Sequence, residues 1–339
     1  MHSNCRTSLP ILLLHNLDPG WPADDLATAL DEVAALEAAL GEAGHSVTPV
    51  AVQDADLDRC LRDYHPDEFV VFNGCEELPG MPRSEALVAQ ELETLGFAYT
   101  GSPAAVLALS WDKANVSRLL DRHELPTPHW RVCGSAQPEG WDCFPAIVKP
   151  AYEHCSLGVT TGAVVLTPSE LGRRIAYVLE EFHQPALVQD FVDGREFHVS
   201  VWGNGIVRML PPAEMDFTAF EDRCEWLCTF DSKFRPGSPH YEKIAVRVPA
   251  LLDAEEYSRL EETALEVYRV FGCRDYARLD LRLRDGTFYV LDVNPNPDLS
   301  PETSLAQAAR VAGYSYGMMA SYLVHLATQR HPRLSKRRH

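Results

Sequence analysis

The feature that most constrains the fold is a pair of alternating stretches near the C-terminal end of the chain. Polar and apolar side chains alternate over residues 278–283 and again over residues 289–294. A period of two is typical of strands with one buried and one polar face. Asp285-Gly286 lies between the stretches and predicts a hairpin. We expect a three-residue loop ending at Gly286 and a shared core for the apolar side chains, which are Leu279, Leu281, Leu283, Tyr289, Leu291 and Val293.

The polar face of this predicted hairpin is a candidate metal site. The expected register places Arg278 directly opposite Asp292, with Asp280 and Asn294 diagonal to them. Carboxylate and amide oxygens are hard donors that suit Mg²⁺ better than zinc. The alternative is a solvated ladder of salt bridges on an exposed sheet. Two prolines directly after Asn294 end the strand just beyond the oxygen cluster, which favours a site.

The first 110 residues or so alternate short apolar runs with helix-like patterns. This rhythm predicts a parallel sheet with crossover helices. Its strands end in polar turns at residues 15–16 and 73–76, where an open α/β sheet offers a ligand crevice. No G-x-G-x-x-G follows the first strand, so a Rossmann cofactor is not indicated, and we interpret residues 203–205 as a hairpin turn.

We predict an α/β chain in three parts with a tail. The parts are an N-terminal α/β domain (1–110), a central unit (111–197), a C-terminal unit (198–330) and a frayed basic tail (331–339). The elements expected beyond residue 110 are strands at 129–133, 146–149, 159–166, 197–202 and 277–283, and helices at 168–182, 254–271 and from about 304.

Charge and cysteine content narrow the class of protein. Lys and Arg total 30 against 49 Asp and Glu, a net charge of −19 that argues against nucleic-acid or membrane partners. The apolar run at residues 9–14 predicts a buried strand rather than an export signal. Nine cysteines without an export signal indicate reduced thiols in the cytoplasm. Cys224 and Cys228 are either half of a zinc site or incidental thiols.

A second candidate site lies at residues 144–159. An apolar strand delivers Lys149, and a loop with Ser156 and Gly158 follows it. Backbone amides of such a loop can hold phosphates, with lysine as a compact cation. The chain has only five lysines against 25 arginines, and Lys149 lies within one of its most patterned segments.

These segments together resemble an ATP-grasp enzyme of the D-alanine–D-alanine ligase type. The resemblance runs from about residue 69 to residue 305. The motifs that carry it lie at residues 72–77, 100–102 with 108–113, 147–159, 192–197, and 277–280 with 292–294. It implies an ATP-grasp fold preceded by a Rossmann-like N-terminal α/β domain.

The resemblance also implies roles for individual residues. Two lysines and a glycine-rich lid hold the ATP phosphates, a glutamate binds the ribose, one strand contacts adenine, and two Mg²⁺ ions, or Mn²⁺, have oxygen ligands. The matching nucleotide residues are Lys113, Lys149, Glu153, Gly158, Gln189, Phe191 and Glu196, and the matching metal ligands are Asp280, Asp292 and Asn294. Arg278, Lys233 and Ser156 match the catalytic positions.

The implied reaction joins a carboxylate to an amine through an acyl phosphate, with amino acids or small peptides as substrates. The assembly we expect is a homodimer. The alternatives are synthesis of D-alanyl-D-alanine itself and a nucleotide-binding regulator without turnover. Two departures concern the acceptor side of the site. Residues 15–24 lack the family's glycine-rich turn and ammonium-binding glutamate, and Lys233 is followed by Phe234 where the family pairs its lysine with a tyrosine. Residues 221–228 add an acidic, cysteine-bearing stretch.

Overall fold

A computed structural model describes residues 9–136 and 140–335 of the chain. Its strands are β1 (Ile11–Asn16), β2 (Val47–Val52), β3 (Val70–Gly74), β4 (Ala98–Tyr99), β5 (Trp130–Cys133), β6 (Ala146–Pro150), β7 (Val164–Val165), β8 (Ala186–Asp190), β9 (Arg195–Trp202), β10 (Arg208–Met209), β11 (Ala213–Asp216), β12 (Ala245–Arg247), β13 (Tyr276–Arg284) and β14 (Thr287–Asn294). Its helices are α1 (Ala23–Glu42), α2 (Leu57–Leu61), α3 (Glu85–Thr94), α4 (Ala104–Ser110), α5 (Lys113–Arg122), α6 (Pro168–Phe182), α7 (Asp231–Phe234), α8 (Pro239–Lys243), α9 (Ala254–Phe271), α10 (Ser304–Val311), α11 (Tyr316–Thr328) and α12 (Pro332–Ser335).

The N-terminal sheet is parallel, as the sequence predicts, and its strand order is β2-β1-β3-β4. Both of its faces are buried, so successive residues of β1 enter different cores. Leu13 packs in a cluster that includes Leu323 of α11, whereas Leu12 packs in a cluster that includes Val88 of α3. Most of the apolar run at residues 9–14 therefore lies in β1, an inner strand of a sheet that is covered on both faces.

The middle sheet is antiparallel, with strand order β5-β8-β6-β7, and α6 covers one face. Leu171, Ile175 and Val178 of that helix are buried at helical spacing. The strand expected at 159–166 is mostly wrong. Only Val164–Val165 is extended in the sheet, because a 3₁₀ turn at Thr161–Ala163 interrupts the backbone ahead of it.

The third sheet has the order β12-β11-β9-β13-β14, with β10 paired to β9, and α9 packs against its apolar face. The hairpin expected at residues 203–205 is confirmed, since Trp202 pairs with Arg208 across it. Gly203 has a φ of 118°, and a Cβ there would lie 2.3 Å from the carbonyl oxygen of Ile206. Glycine is therefore required at this turn.

The register predicted for the β13–β14 hairpin is wrong. The turn has two residues, Asp285 and Gly286, at φ 51° and 75°, and Arg284 pairs with Thr287. A shift in pairing after Asp280 then restores an even register. As a result Arg278 lies opposite Asn294, and Asp280 lies opposite Asp292.

The same bulge changes which side chains of β14 are buried. Phe288, Val290 and Val293 are in the core, whereas Tyr289 and Leu291 are only partly buried. The prediction of Tyr289 and Leu291 as core residues is therefore wrong. Leu291 is the extra residue of the bulge, so the alternation changes phase on either side of it.

The ordered structure extends further toward the C-terminus than the sequence predicts, because part of the expected frayed tail is helical. Arg330 forms an ion pair with buried Asp275 at 2.6 Å and donates to the carbonyl oxygen of Tyr99. His331 is fully buried, and α12 follows. The rest of the predicted tail, residues 336–339, lies outside the described residues. None of the described helices is long and apolar enough to cross a bilayer.

Candidate active site

The centre of the site is the polar face of β13 and β14. Arg278 donates two hydrogen bonds to Asp280, at 2.8 and 3.0 Å. The Asn294 amide donates to the same carboxylate at 3.2 Å. Burial alone would raise the pKa of Asp280, but the Arg278 guanidinium and His198 hold it near about 2. Asp280 is therefore an anion at neutral pH.

Asp292 belongs to the same face and faces a lysine from another element. Lys113 Nζ lies 2.7 Å from Asp292 Oδ2, and both side chains are largely buried. Lys113 is the first residue of α5, whose start is fixed by Asp112, the carboxylate that accepts from two backbone amides of the first turn. Burial opposes ionisation of Asp292, but Lys113 holds its pKa below the usual value.

Lys149 brings a second cation to this group from β6 of the middle sheet. Burial and the like charge of Lys113 lower its pKa to about 8, against the attraction of Asp292, Glu196 and Asp280. Lys149 forms no ion pair with any side chain of the described ranges. It is thus a desolvated cation beside three carboxylates.

The loop at residues 152–159 follows β6, the strand that carries Lys149. Val159 N–H donates to the Ser156 carbonyl oxygen, and Gly158 is buried at φ 76°. A Cβ on Gly158 would lie 2.7 Å from Pro150 and 2.8 Å from Phe182. Only glycine fits this turn.

Glu153 is engaged by protein partners on this loop. Its carboxylate accepts from Gln184 Nε2 at 2.7 Å and lies 3.8 Å from Arg83 Nη1. Its predicted part in nucleotide binding stays a prediction. Lys233 is exposed on α7, and its charge acts on Asp280. Phe230 N–H, directly before α7, donates to the Val159 carbonyl oxygen at 3.1 Å and so ties the two loops together.

Glu196 is held by an arginine that the sequence analysis did not select. Arg282 lies opposite it in the β9–β13 register, and its Nη2 is 2.7 Å from Glu196 Oε2. Arg282 is 2% exposed, also donates to the carbonyl oxygens of Val192 and Trp226, and covers the Phe191 ring at 4.8 Å. Burial opposes ionisation of Glu196, but Arg282 holds its pKa near about 2.

Gln189 and Phe191 lie where the predicted adenine strand ends. Gln189 is buried in β8, between Trp130 of β5 and Ile147 of β6. Phe191 directly follows the strand and is buried under the Arg282 guanidinium. The Phe191 ring thus lies against the arginine that pairs with Glu196, and the buried amide of Gln189 is two residues away in the chain.

His198, which was not selected from the sequence, and Cys228 also lie beside Glu196. His198 Nε2 lies 3.6 Å from Glu196 Oε1 and 3.9 Å from Asp280 Oδ1. Cys228 joins Glu196 and His198 in one group of possible metal ligands, whereas Cys224 is outside it. The zinc half-site of Cys224 and Cys228, one of the two alternatives for this pair, stays a prediction, and the structure groups Cys228 with Glu196 and His198 instead.

A group of carboxylates lies near the ends of β1 and β3. Asn16 accepts from the Glu76 amide at 2.7 Å and donates to the Glu77 carbonyl oxygen. The Glu76 side chain remains accessible, but the surrounding protein and the carboxylates of Glu85 and Asp298 raise its pKa to about 7. Glu76 therefore has an unusually high affinity for a proton or another cation.

The donor set on β13 and β14 fits a hard divalent cation. Asp280, Asp292 and Asn294 supply only oxygen ligands, and Asp280 and Asp292 are paired across the two strands. In the structure these carboxylates pair with Arg278 and Lys113. A bound metal ion would take over part of this pairing, and the phosphate would then bind the two cations. Carboxylate ligands suit Mg²⁺ that is bound together with phosphate.

Comparison with known proteins agrees with this arrangement. The family model described as D-ala D-ala ligase C-terminus matches residues 128–325. An uncharacterized protein, y4sG, of Sinorhizobium fredii is 31% identical over 92% of this chain and 90% of its own length. The D-alanine–D-alanine ligase of Desulforudis audaxviator is 30% identical over 86% of this chain and 91% of its own length.

The solved structures agree on the fold. The D-alanine–D-alanine ligase from Bacillus anthracis, crystallised with ATP, covers 98% of this chain and 100% of its own, with a TM-score of 0.72 at 19% identity. The expected ATP-grasp fold is therefore confirmed. Fold and site together define an ATP-grasp carboxylate–amine ligase. Within that class, the chain belongs to the D-alanine–D-alanine ligase family.

Proposed function

We propose that this ligase uses ATP and Mg²⁺ to activate the carboxylate of a small amino acid or peptide as an acyl phosphate, which the amine of a second substrate then attacks. The observation that carries the proposal is the chain of contacts from Arg278 through Asp280 to Asn294, next to the Lys113–Asp292 pair. Phosphoryl transfer needs positioning and charge neutralisation more than a protein nucleophile. A buried face of alternating cations and oxygen donors suits that requirement.

The nucleotide is held by residues of α5, of the middle sheet and of the loop that follows β6. Lys113 and Lys149 bind its phosphates, and the backbone of the loop with Ser156 and Gly158 closes over them. Lys149 lies near three carboxylates, which attract its charge. This supports the role, because a phosphate bound there would supply the same kind of negative partner for the lysine.

The base and sugar bind at the other end of the same crevice. Gln189 can pair with the edge of adenine through its amide, and Phe191 borders the ring. Glu196 accepts hydrogen bonds from the ribose hydroxyls through Oε1, because Oε2 is occupied by Arg282. Arg282 is thus a positioning residue for nucleotide binding.

Asp280, Asp292 and Asn294 would hold two Mg²⁺ ions, or Mn²⁺ in their place. Such ions neutralise the phosphate charge during transfer. Arg278 stabilises the transferring group and the later tetrahedral oxyanion, with its guanidinium oriented by two hydrogen bonds to Asp280. Lys233 on α7 and Ser156 on the loop at residues 152–159 would act from two segments that are joined by the hydrogen bond from Phe230 to Val159.

The acceptor side is proposed to take an amino acid whose ammonium group is bound by Glu76. Asn16 fixes the backbone on both sides of that glutamate, so its position is set by β1 and β3. The second candidate is D-alanyl-D-alanine synthesis, which the names of the relatives favour.

Further proposals concern the whole chain. The three sheets support division into units near residues 1–110, 111–197 and 198–330, but β9 begins at Arg195, so we place the second boundary just ahead of it. A cytoplasmic location and a homodimer are proposed as well. The expected substrates are small molecules rather than nucleic acids or membranes, in keeping with a net charge of −19.

The test is incubation with ATP, Mg²⁺ and a panel of D- and L-amino acids, with phosphate release and mass spectrometry of the products. The proposal predicts one new amide product for each phosphate released. ATP binding without turnover on any substrate pair would instead support the regulatory alternative. Arg278→Lys, which keeps the charge but loses the bidentate contact, is expected to bind ATP and lose turnover.

A further inference from the structure

We propose that Glu196, His198 and Cys228 form a second metal site, for Zn²⁺ or a similar divalent transition metal, distinct from the oxygen ligands on β13 and β14. The ligand atoms of these three residues all lie within 4.8 Å of one another. Glu196 and His198 are two residues apart on β9 and so point to the same side of the sheet. Cys228 reaches them from the segment between β11 and α7.

The surroundings hold this group in place. Glu196 and His198 are 5% and 8% exposed, and neighbouring strands fix their backbone on both sides. The segment carrying Cys228 is anchored where the Trp226 carbonyl oxygen accepts from buried Arg282. The three ligands therefore come from ordered backbone, and a small contraction brings them to metal-bonding distances, about 2.3 Å for sulfur and 2.0–2.1 Å for nitrogen.

The donor types select the ion. One thiolate, one imidazole and one carboxylate suit zinc, whereas Mg²⁺ takes oxygen ligands only. Glu196 Oε2 stays with Arg282, which leaves Oε1, the oxygen 3.6 Å from His198 Nε2, for the metal. Binding exchanges the thiol proton of Cys228, which passes to solvent, for a metal–sulfur bond. Three protein ligands leave a fourth position for water.

A metal here would compete with the nucleotide. Glu196 is the residue proposed above to bind the ribose, so this part of the inference rests on the proposed function. An ion coordinated by Oε1 removes that acceptor and puts a positive charge in the sugar site. Zn²⁺ is therefore expected to inhibit the ligase competitively with ATP, whereas Mg²⁺ supports it.

Direct binding is tested on the full chain with Co²⁺ as a spectroscopic probe, in the absence of nucleotide. The wild-type protein should bind one Co²⁺ with a sulfur-to-cobalt charge-transfer band, displaced by Zn²⁺. Cys228→Ser should lose the band, and His198→Ala should bind at least about tenfold more weakly. Cys224→Ser, from the same segment but outside the group, should keep it.

A wild-type protein without the band, or a Cys228→Ser protein that keeps it, would overturn the metal site. Near-UV circular dichroism of each variant shows whether its fold is retained, and His198→Gln provides a second variant with a more similar volume. Zn²⁺ inhibition is then measured at several ATP concentrations. A charge-transfer band together with non-competitive inhibition would overturn the shared use of Glu196, which separates a failure of the ribose assignment from a failure of the metal site.

Discussion

Lys149 is the residue whose protonation most directly controls phosphate binding in this account. Its pKa is lowered to about 8, so the cation is present below that pH and is lost as the pH rises through it. We expect the Kd for ATP, measured by calorimetry, to rise by up to about tenfold between pH 7.5 and pH 9. Lys149→Arg keeps its charge and should flatten this dependence.

Lys149→Ala should weaken ATP binding at least about tenfold at pH 7.5, because a charge-assisted contact is removed. The fold should be kept, as judged by circular dichroism, since Lys149 forms no ion pair within the described segments. An alanine variant with wild-type ATP affinity would show that Lys149 does not contact phosphate.

Arg282 is expected to matter for stability because it neutralises a buried carboxylate. Arg282→Met would leave Glu196 without its cation and should reduce the free energy of unfolding by about 3–5 kcal/mol. Arg223→Met is the matched control, because Arg223 is 64% exposed in its pair with Asp193 and should change stability by less than about 1 kcal/mol. Urea unfolding measures both. Equal small effects would mean that the Glu196 charge is compensated elsewhere.

Asp292→Asn tests the metal assignment at the level of one oxygen ligand. The substitution removes a negative charge from the proposed ligand set, so half-maximal activity should need at least about tenfold more Mg²⁺. Asp216→Asn, which breaks an ion pair with Arg247 at the far side of the same sheet, should leave the Mg²⁺ titration unchanged. An unchanged titration for Asp292→Asn would mean that this carboxylate only pairs with Lys113 and does not bind the metal.

The loop at residues 152–159, which is proposed to close over the phosphates, depends on a single glycine for its conformation. Gly158→Ala introduces a Cβ less than 3 Å from Pro150 and Phe182 at a positive φ, so the loop must shift. We expect a large loss of kcat/KM for ATP with an intact core. Gly162→Ala, in the same segment but with its nearest neighbour 3.7 Å away, should retain activity. Comparable activity in both variants would show that the loop does not cover the phosphates.

Elements with strong local signals could be predicted to the residue. The bounds expected for α6 and α9, 168–182 and 254–271, match the structure. Thr167 caps α6, and α9 has a capping box at Asp253 and Gly272 at its C-cap. The predicted register of β13 and β14 was wrong. Near the site, a two-residue turn followed by a bulge places the same faces together as a three-residue loop would, so the alternation of side chains does not distinguish the two arrangements.

The candidate site was predictable where polar residues alternate within one strand. Arg278, Asp280 and Asn294 do come together, although with other partners than expected. The sequence analysis missed Arg282 and His198, whose partners lie on β9 or across it. Such contacts depend on the pairing of β9 with β13, which brings Arg282 opposite Glu196, 86 residues away in sequence, and local patterning does not specify it.

At the scale of the whole molecule, the motifs that match the family lie in the part proposed to bind the nucleotide, whereas the departures lie in the part proposed to bind the acceptor. We predict that D-alanine alone is a poor substrate compared with other amino acids or mixed pairs. β1 ends at Asn16, with no glutamate directly after it, and Glu76 comes from the turn that follows the neighbouring strand β3. A displaced carboxylate selects a differently placed ammonium group. Phosphate release with D-alanine above that with every other substrate tested would contradict this prediction.

The central claim is that the carboxylate substrate is activated by phosphorylation before the amine attacks. It is tested most directly by supplying the productive substrate with ¹⁸O in its carboxylate and analysing the released phosphate by mass spectrometry. The account predicts that each phosphate carries one ¹⁸O atom, because the attacking oxygen remains on phosphorus when the amine displaces it. Amide product formed with unlabelled phosphate would contradict the acyl-phosphate mechanism.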